Sequence, residues 1–256
     1  MASFAGFAYI PTLPMRIAVV TPYADEPAEW LAQGHASIRA QGVEAVHILV
    51  ADGQPDPAVA GWADQHIVLK HRHGDGGNAA RMAGGLSAAS QRFDAVTFLD
   101  PGDWFLPGHL AGLAAAAAGA DVATARRVLH RIDGTPAGPC PLVDGVRVVD
   151  SSGILLRPEA FPAIAVWCLA PAPVADNAVQ SVLGFLQRRR RTIAVAGAAT
   201  VAKRIRSRAF NAPFGPTRWD DRLTDADPPD PAAVTAWWRD IDPDRRAREL
   251  RRLGVT

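Results

Sequence analysis

Short apolar runs alternate with longer stretches of mixed polarity through the first half of the chain. "RIAVVTPY" (16–23) is apolar and β-branched until it closes on Thr-Pro, which predicts a strand buried on both faces. "EPAEWLAQGHASIRAQG" (26–42) spaces Trp30, Leu31 and Ile38 as a helix does, with Gly42 as its C-terminal stop. "AVHILVADG" (45–53) predicts a second strand ending in Asp-Gly, and "HIVLKHRH" (66–73) a third. "GNAARMAGGLSAAS" (77–90) predicts a helix of small residues, "DAVTFLD" (94–100) a fourth strand and "PGHLAGLAAAAAGA" (107–120) another helix. Strands alternating with helices across short turns imply right-handed crossovers and a mainly parallel sheet. Ligands of such sheets collect at the carboxyl ends of the strands. Thr21, Asp52, Asp75 and Asp100 fall at or just beyond those ends.

After about residue 125 the rhythm changes. "RRVLHRIDGTPAGPCPLVDGVRVVDSSGILLRPEAF" reads as short antiparallel strands turning at the Asp-Gly pairs 133–134 and 144–145. A Pro-rich bend (170–173) leads to a helix over 174–191, a strand-like stretch over 192–205 and an irregular segment over 207–230. A final helix, about 231–252, carries Trp237 and Trp238, which anchor it to the body. The expected organisation is an α/β half at 15–125, a smaller mixed half at 126–210 and a C-terminal segment at 211–256, together one compact domain. There are no internal repeats.

Composition narrows the class. The chain has 256 residues, with 27 Lys and Arg against 26 Asp and Glu, so no global field favours nucleic acid. Basic runs at 187–192, 202–208 and 244–253 are expected to be solvated faces, with peripheral contact to anionic lipid as the alternative. Cys140 and Cys168 have no metal-type spacing, which fits a reducing compartment. The first fourteen residues lack the basic start of a signal peptide, and the Ala-rich stretch 111–120 is too short to span a bilayer; a cytoplasmic protein is expected.

The stretches "VVTPYADE", "LVADGQPD", "GNAARMAGG" and "FLDPGDWFLP", in this order and spacing, resemble the motifs of family 2 glycosyltransferases of the GT-A fold. "SSGILLRPEAF" is similar to that family's acceptor-side segment, and "VADNAVQ" sits where its acidic catalytic motif lies. The resemblance covers about residues 15 to 210. It implies transfer of a sugar from a nucleotide diphosphate donor to an acceptor hydroxyl of unknown identity. Departure of the diphosphate builds negative charge that Mg²⁺ or Mn²⁺ neutralises well, and the acceptor must lose a proton to a carboxylate. By resemblance, Asp52 recognises the base, Thr21, Pro22 and Asp75 line the nucleotide site, and Arg81 holds the diphosphate or orients the acidic loop. Asp100 and Asp103 take the metal and diphosphate region, and Asp176 acts as general base of an inverting transfer. UDP-sugar is the expected donor, because a carboxylate suits uracil N3–H.

The departures from the pattern are specific. Ala51 replaces the first acid of Asp-Asp-Gly, Met82 replaces the Asn after Arg, and Gly102 replaces the later metal-binding acid, leaving Asp100-Pro-Gly-Asp103. Asp103 turned inward across Gly102, Asp100 alone with water and phosphate, or a metal-free site neutralised by arginines would each satisfy the chemistry; a divalent ion, Mg²⁺ or Mn²⁺ at Asp100 and Asp103, is the expected arrangement. Gly102 also keeps open a degenerate GT-A protein that binds nucleotide or glycan without turnover. Two further readings compete. Gly74-x-Gly76-x-x-Ala79 imitates a dinucleotide fingerprint of an oxidoreductase, but it follows the third strand rather than the first. His71, His73 and Asp75 alternate as zinc ligands on one strand face would, without a third histidine nearby. Thr200 and "KRIRSR" line either a diphosphate or an exposed strand edge.

Overall fold

The computed structural model describes residues 15–59, 61–169, 175 and 178–225. The first half forms the expected alternation: β1 (Ile17–Tyr23), α1 (Ala28–Arg39), β2 (Ala45–Ala51), β3 (Gln65–Val68), α2 (Asn78–Ser90), β4 (Ala95–Phe98), β5 (Trp104–Phe105) and α3 (His109–Ala116). The second half contributes β6 (Val122–His130), β7 (Pro136–Pro139), β8 (Ile154–Leu156), α4 (Ala178–Arg188), β9 (Ile193–Arg204) and a one-turn α5 (Arg208–Asn211). A 3₁₀ stretch, Pro158–Leu169, packs between α2 and α4.

One sheet carries all nine strands found among the described residues, in the order β3-β2-β1-β4-β8-β6-β9-β5, with β7 beside β6. β3, β2, β1 and β4 are parallel; β8 is antiparallel to both β4 and β6, and β9 runs parallel to β6. The sheet is therefore mixed, the parallel half matching expectation and the second half adding the antiparallel character. Side chains alternate between two cores, as strand geometry requires. Ala18, Val20, Ile48 and Phe98 pack under α2, the 3₁₀ stretch and α4, through Ala80, Ile164, Trp167 and Val182. Ile17, Val19 and Ala95 face α1 and α3 through Ile38, Leu110 and Leu113. Among the described residues, no helix is long and apolar enough to cross a membrane.

The parallel ladders end unevenly at their carboxyl edge. β4 stops at Phe98 opposite Val20, so β1 continues to Tyr23 with β2 as its only partner. Pro22 falls in that stretch, where a missing amide donor is most easily tolerated. The boundary between β1, whose connection leads to β2, and β4 on its other side is the topological switch point of the sheet, the place where such sheets bind their ligands.

Several sequence expectations shift. β3 ends at Val68, so Lys70–His73 form a polar loop and the strand-face argument for a histidine zinc site does not apply. The segment around Asp144-Gly145 is a turn without flanking strands: Asp144 Oδ1 accepts the amides of Val146, Arg147 and Val148. The expected final helix with Trp237 and Trp238, the 244–253 basic run, the 170–173 bend and Asp176 lie outside the described residues.

Candidate active site

β4 ends at Phe98, and the chain breaks at Asp100-Pro101-Gly102-Asp103 because Gly102 adopts φ +96°, a conformation suited to glycine. A Cβ there would meet Trp30 Cε3 at 3.0 Å, so Trp30 fills the side of Gly102 from which an acid would project. The turn instead aims Asp103 inward. Asp100 and Asp103 are both buried, and a third acid, Asp150, joins them from the second half of the chain.

Asp150 opens a short turn, Ser151–Gly153, by accepting the Ser152 amide at 2.9 Å. Gly153 lets that turn lie on β6, since a Cβ would stand 2.5 Å from the Ala125 carbonyl oxygen. The approach delivers two hydroxyls: Ser151 donates to Asp100 Oδ2 at 2.6 Å, and Ser152 reaches Asp103 Oδ2 at 3.1 Å while accepting the Asp100 amide at 2.9 Å. Oxygens of Asp100, Asp103 and Asp150 lie within 4.8 Å of one another, a donor set of the type a hard divalent cation uses.

Three cations meet these acids. Arg81, on the first turn of α2, donates to Asp100 Oδ1 at 2.6 Å, to the Gly76 carbonyl at 2.7 Å and to Asn78 Oδ1 at 3.1 Å. Its guanidinium also stands 5.2 Å from the Trp167 ring. Arg127 of β6 pairs with Asp150. Lys203 of β9 stands among all three carboxylates, 2.9 Å from Asp100, 3.0 Å from Asp103 and 3.9 Å from Asp150.

Burial opposes ionisation of Asp100, but Lys203, Arg81 and the Ser151 hydroxyl overcome it and hold the group well below the usual carboxylate range. Asp150 is lowered in the same way by Lys203, Arg127 and the Ser152 amide. Asp103 shares Lys203 with its neighbours and has no guanidinium of its own. Burial therefore prevails, with repulsion from Asp100 and Asp150 beside it, and its carboxyl is pushed up to about 6. Lys203 itself is held firmly charged, the three acids outweighing its burial.

Arg204 forms the back wall. It donates from Nε to the Gly102 carbonyl at 2.9 Å and from a terminal nitrogen to the Ile132 carbonyl at 2.6 Å, and it pairs with Gln33. Its guanidinium stands 4.9 Å from the Trp30 ring and 5.0 Å from the Trp104 ring. The "KRIRSR" run is thus not the solvated face expected of a basic cluster: its first two cations point into the site.

The remaining sequence candidates occupy the same rim in different ways. Asp52, at the end of β2, accepts the His73 amide and ring nitrogen at 2.9 Å each and the Gly74 amide at 3.1 Å. Burial opposes its ionisation, and these donors hold it below its ordinary value. Asp75 spends its oxygens on the Asn78 and Ala79 amides, at 2.9 Å each, at the start of α2. The Thr21 hydroxyl lies inside the sheet face, 3.0 Å from His47 Nε2, and Pro22 packs under Gly77. Thr200 pairs with His109 at 2.8 Å beneath α3, away from the acids. The sequence reading missed Asp150, held Ser151 and Ser152 only as part of the acceptor-side segment and Lys203 only as part of the "KRIRSR" run, and missed Arg127. The Asp-Ser-Ser-Gly turn was a readable signal for the first three.

A cleft of about 490 Å³ opens beside the carboxyl end of β1, lined among others by Glu26, Trp30, Arg72 and Arg206. It does not coincide with the acid cluster and touches it only through Trp30. Its charges are already paired, Arg72 with Asp25 at 2.5 Å, Arg206 with Glu26 at 3.7 Å and Arg222 with Glu29 at 2.7 Å. The buried cluster, by contrast, concentrates charge away from water.

Known proteins accord with this geometry. Residues 18–157 match the sequence profile described as Glycosyl transferase family 2. The match covers more than half of the chain, so the protein belongs to the family 2 glycosyltransferases. A comparison with curated proteins gave no match. Among solved structures, S. aureus TarS 1-349 in complex with UDP is similar at TM-score 0.54 and 13% identity, over 94% of this chain and 80% of that one. The same fragment in complex with UDP-GlcNAc gives 0.55 and 12%, over 91% and 78%. A further S. aureus TarS structure gives 0.55 and 13%, over 90% of this chain and 46% of that one. The shared fold is GT-A: a curled mixed sheet flanked by helices.

Proposed function

We propose that this glycosyltransferase takes a nucleotide diphosphate sugar, with UDP as the nucleotide, and passes the sugar to an acceptor hydroxyl with inversion. The observation that carries the reading is the buried set Arg81, Asp100 and Lys203 at the β1/β4 switch point, where α/β sheets bind their ligands. The TarS structures with UDP and UDP-GlcNAc support the choice of nucleotide. Asp52, at the end of the adjacent β2, is the acid for the uracil edge, and Arg81 and Lys203 face the diphosphate.

Asp176 is our choice for general base. Its neighbour Ala175 accepts a 2.9 Å hydrogen bond from Asn78, whose other amide atom receives Arg81. The chain next to residue 176 is therefore tied to the diphosphate end of the site. A carboxylate there takes the acceptor proton as the oxygen attacks the anomeric carbon, and the nucleotide diphosphate departs on the opposite side. A single displacement of this kind inverts the anomeric centre.

The carboxylate trio has the donor chemistry for Mg²⁺ or Mn²⁺, but not the room. Each of its six oxygens already accepts from a protein donor, and Lys203 stands at the centre.

Calorimetric titration of the full chain with UDP, GDP and dTDP tests the donor class, and UDP is expected to bind. Asp176→Asn is expected to lower kcat for sugar transfer by about 10²–10⁴-fold with the donor Kd unchanged. Failure of every nucleotide diphosphate to bind would overturn the donor reading. Transfer by Asp176→Asn at the wild-type rate would move the base elsewhere.

A further inference from the structure

We infer that the Lys203 ammonium is the resident cation of the acid cluster: it stands where a divalent ion would sit, and the two exclude one another. The part concerning the diphosphate rests on the donor reading above.

Charge balance is the first argument. Asp100, Asp103 and Asp150 bring three negative charges to a buried site, and Lys203, Arg81 and Arg127 answer them. An added divalent ion would leave two positive charges uncompensated in a medium where charge is costly.

Space gives the second, because Lys203 Nζ already stands between the three carboxylates, whose oxygens are each engaged by a protein donor. Asp100 Oδ1 accepts Arg81, and its Oδ2 accepts Ser151 and Lys203. Asp103 Oδ1 accepts the Arg204 amide at 3.2 Å, and its Oδ2 accepts Ser152 and Lys203. Asp150 Oδ1 holds the Ser152 amide, and its Oδ2 holds Arg127. A metal binding all three acids must take the place of Nζ.

The ammonium also has a use for its position. It carries three protons, and two go to Asp100 and Asp103. Asp150, at 3.9 Å, is beyond hydrogen-bond reach, so among the described residues the third proton has no acceptor. The Lys203 side chain keeps 22% of its surface exposed, the most of the four groups in the cluster core. That proton is left for a diphosphate oxygen of the donor. Lys203 would then neutralise leaving-group charge as a Lewis-acidic ion does, without an ion being recruited.

The test uses the full chain and Mn²⁺ itself. Electron paramagnetic resonance counts free Mn²⁺ in titrations of the wild type and of Lys203→Gln, with circular dichroism to establish that the variant is folded. The wild type is expected to leave Mn²⁺ free at millimolar concentration, and Lys203→Gln to bind about one ion per chain. UDP titrations with EDTA or Mn²⁺ are expected to give the same Kd for the wild type. Stoichiometric Mn²⁺ binding by the wild type, lost in Asp100→Asn, would overturn the inference whether or not the variant folds. A folded Lys203→Gln that binds no Mn²⁺ would overturn it too. If no nucleotide binds to any form, the donor reading fails, while the Mn²⁺ counts still decide the exclusion.

Discussion

Gly102 shows how one residue reorganises a site. It lacks the acid of the family motif, its φ is +96°, and its missing Cβ makes room for the Trp30 ring. Restoring the acid in Gly102→Asp forces a side chain into a left-handed conformation and against an indole 3.0 Å away. Strain of this kind costs about 1–3 kcal/mol, and about 2–4 °C of Tm is lost per kcal/mol in a chain of this size. Thermal unfolding is expected to show that loss without any gain of Mn²⁺ binding; a variant as stable as the wild type would mean that Trp30 does not constrain the turn. Asp100, Asp103 and Arg81 were legible because their spacing along a βα series is a local signal. Lys203 was not, because it meets Asp103 across one hundred residues of chain and lies in a basic run of the kind that usually faces water.

At the scale of an element, α2 holds Arg81 by packing unusually close to the sheet. A Cβ at Gly84 would lie 2.5 Å from Val20 Cγ1 and 2.9 Å from Val50 Cγ2. Gly84→Ala therefore pushes the helix outward one turn beyond Arg81, an overpacking cost of about 1–3 kcal/mol that the better helix propensity of Ala offsets by about 1 kcal/mol. The expected result is a lower Tm and weaker UDP binding. The control is Gly112→Ala in α3, where a Cβ meets nothing within 4 Å; it is expected to raise stability by about 0.5–1 kcal/mol. Equal effects of the two substitutions would refute the packing argument. The small residues of α2 were readable as a helix, but the need for them was not, since it depends on side chains of β1 and β2. Two elements escaped prediction: β5, whose two residues are too few to show a period, and the 3₁₀ stretch Pro158–Leu169, which starts inside a segment that reads as short strands.

Across the whole molecule, the parallel half was legible because each strand is a continuous apolar run joined to the next through a helix. The mixed half was legible as short antiparallel strands and a strand over 192–205, but not in its pairing, because β8 inserts between β4 and β6 and β9 returns beside β6, contacts that leave no local pattern. The fold also buries titratable groups on β2 and α3, which gives it a distinctive response to acid. Burial lowers His47, with His35 beside it, and His109 to about 3. Unfolded, each takes up a proton near pH 6.5, so the unfolded state binds more protons and stability falls as pH drops below 6.5. Asp103 has the opposite sign. Raised to about 6, it is protonated first in the folded state, and its contribution, complete below the unfolded value of 3.8, is lost as pH rises through 6. Between pH 6 and 4 these two histidines hold up to two more protons in the unfolded chain, and Asp103 up to one more in the folded chain. The balance is one proton, about 1.4 kcal/mol per pH unit. Below 3.8 Asp100 and Asp150, both lowered in the folded protein, steepen the loss. Urea unfolding at pH 7.5, 6.0, 5.0 and 4.0 measures the slope. His109→Asn removes one histidine from the balance and is expected to leave stability nearly level between pH 6 and 4. A variant retaining the full wild-type slope would show that buried histidines do not govern the acid response.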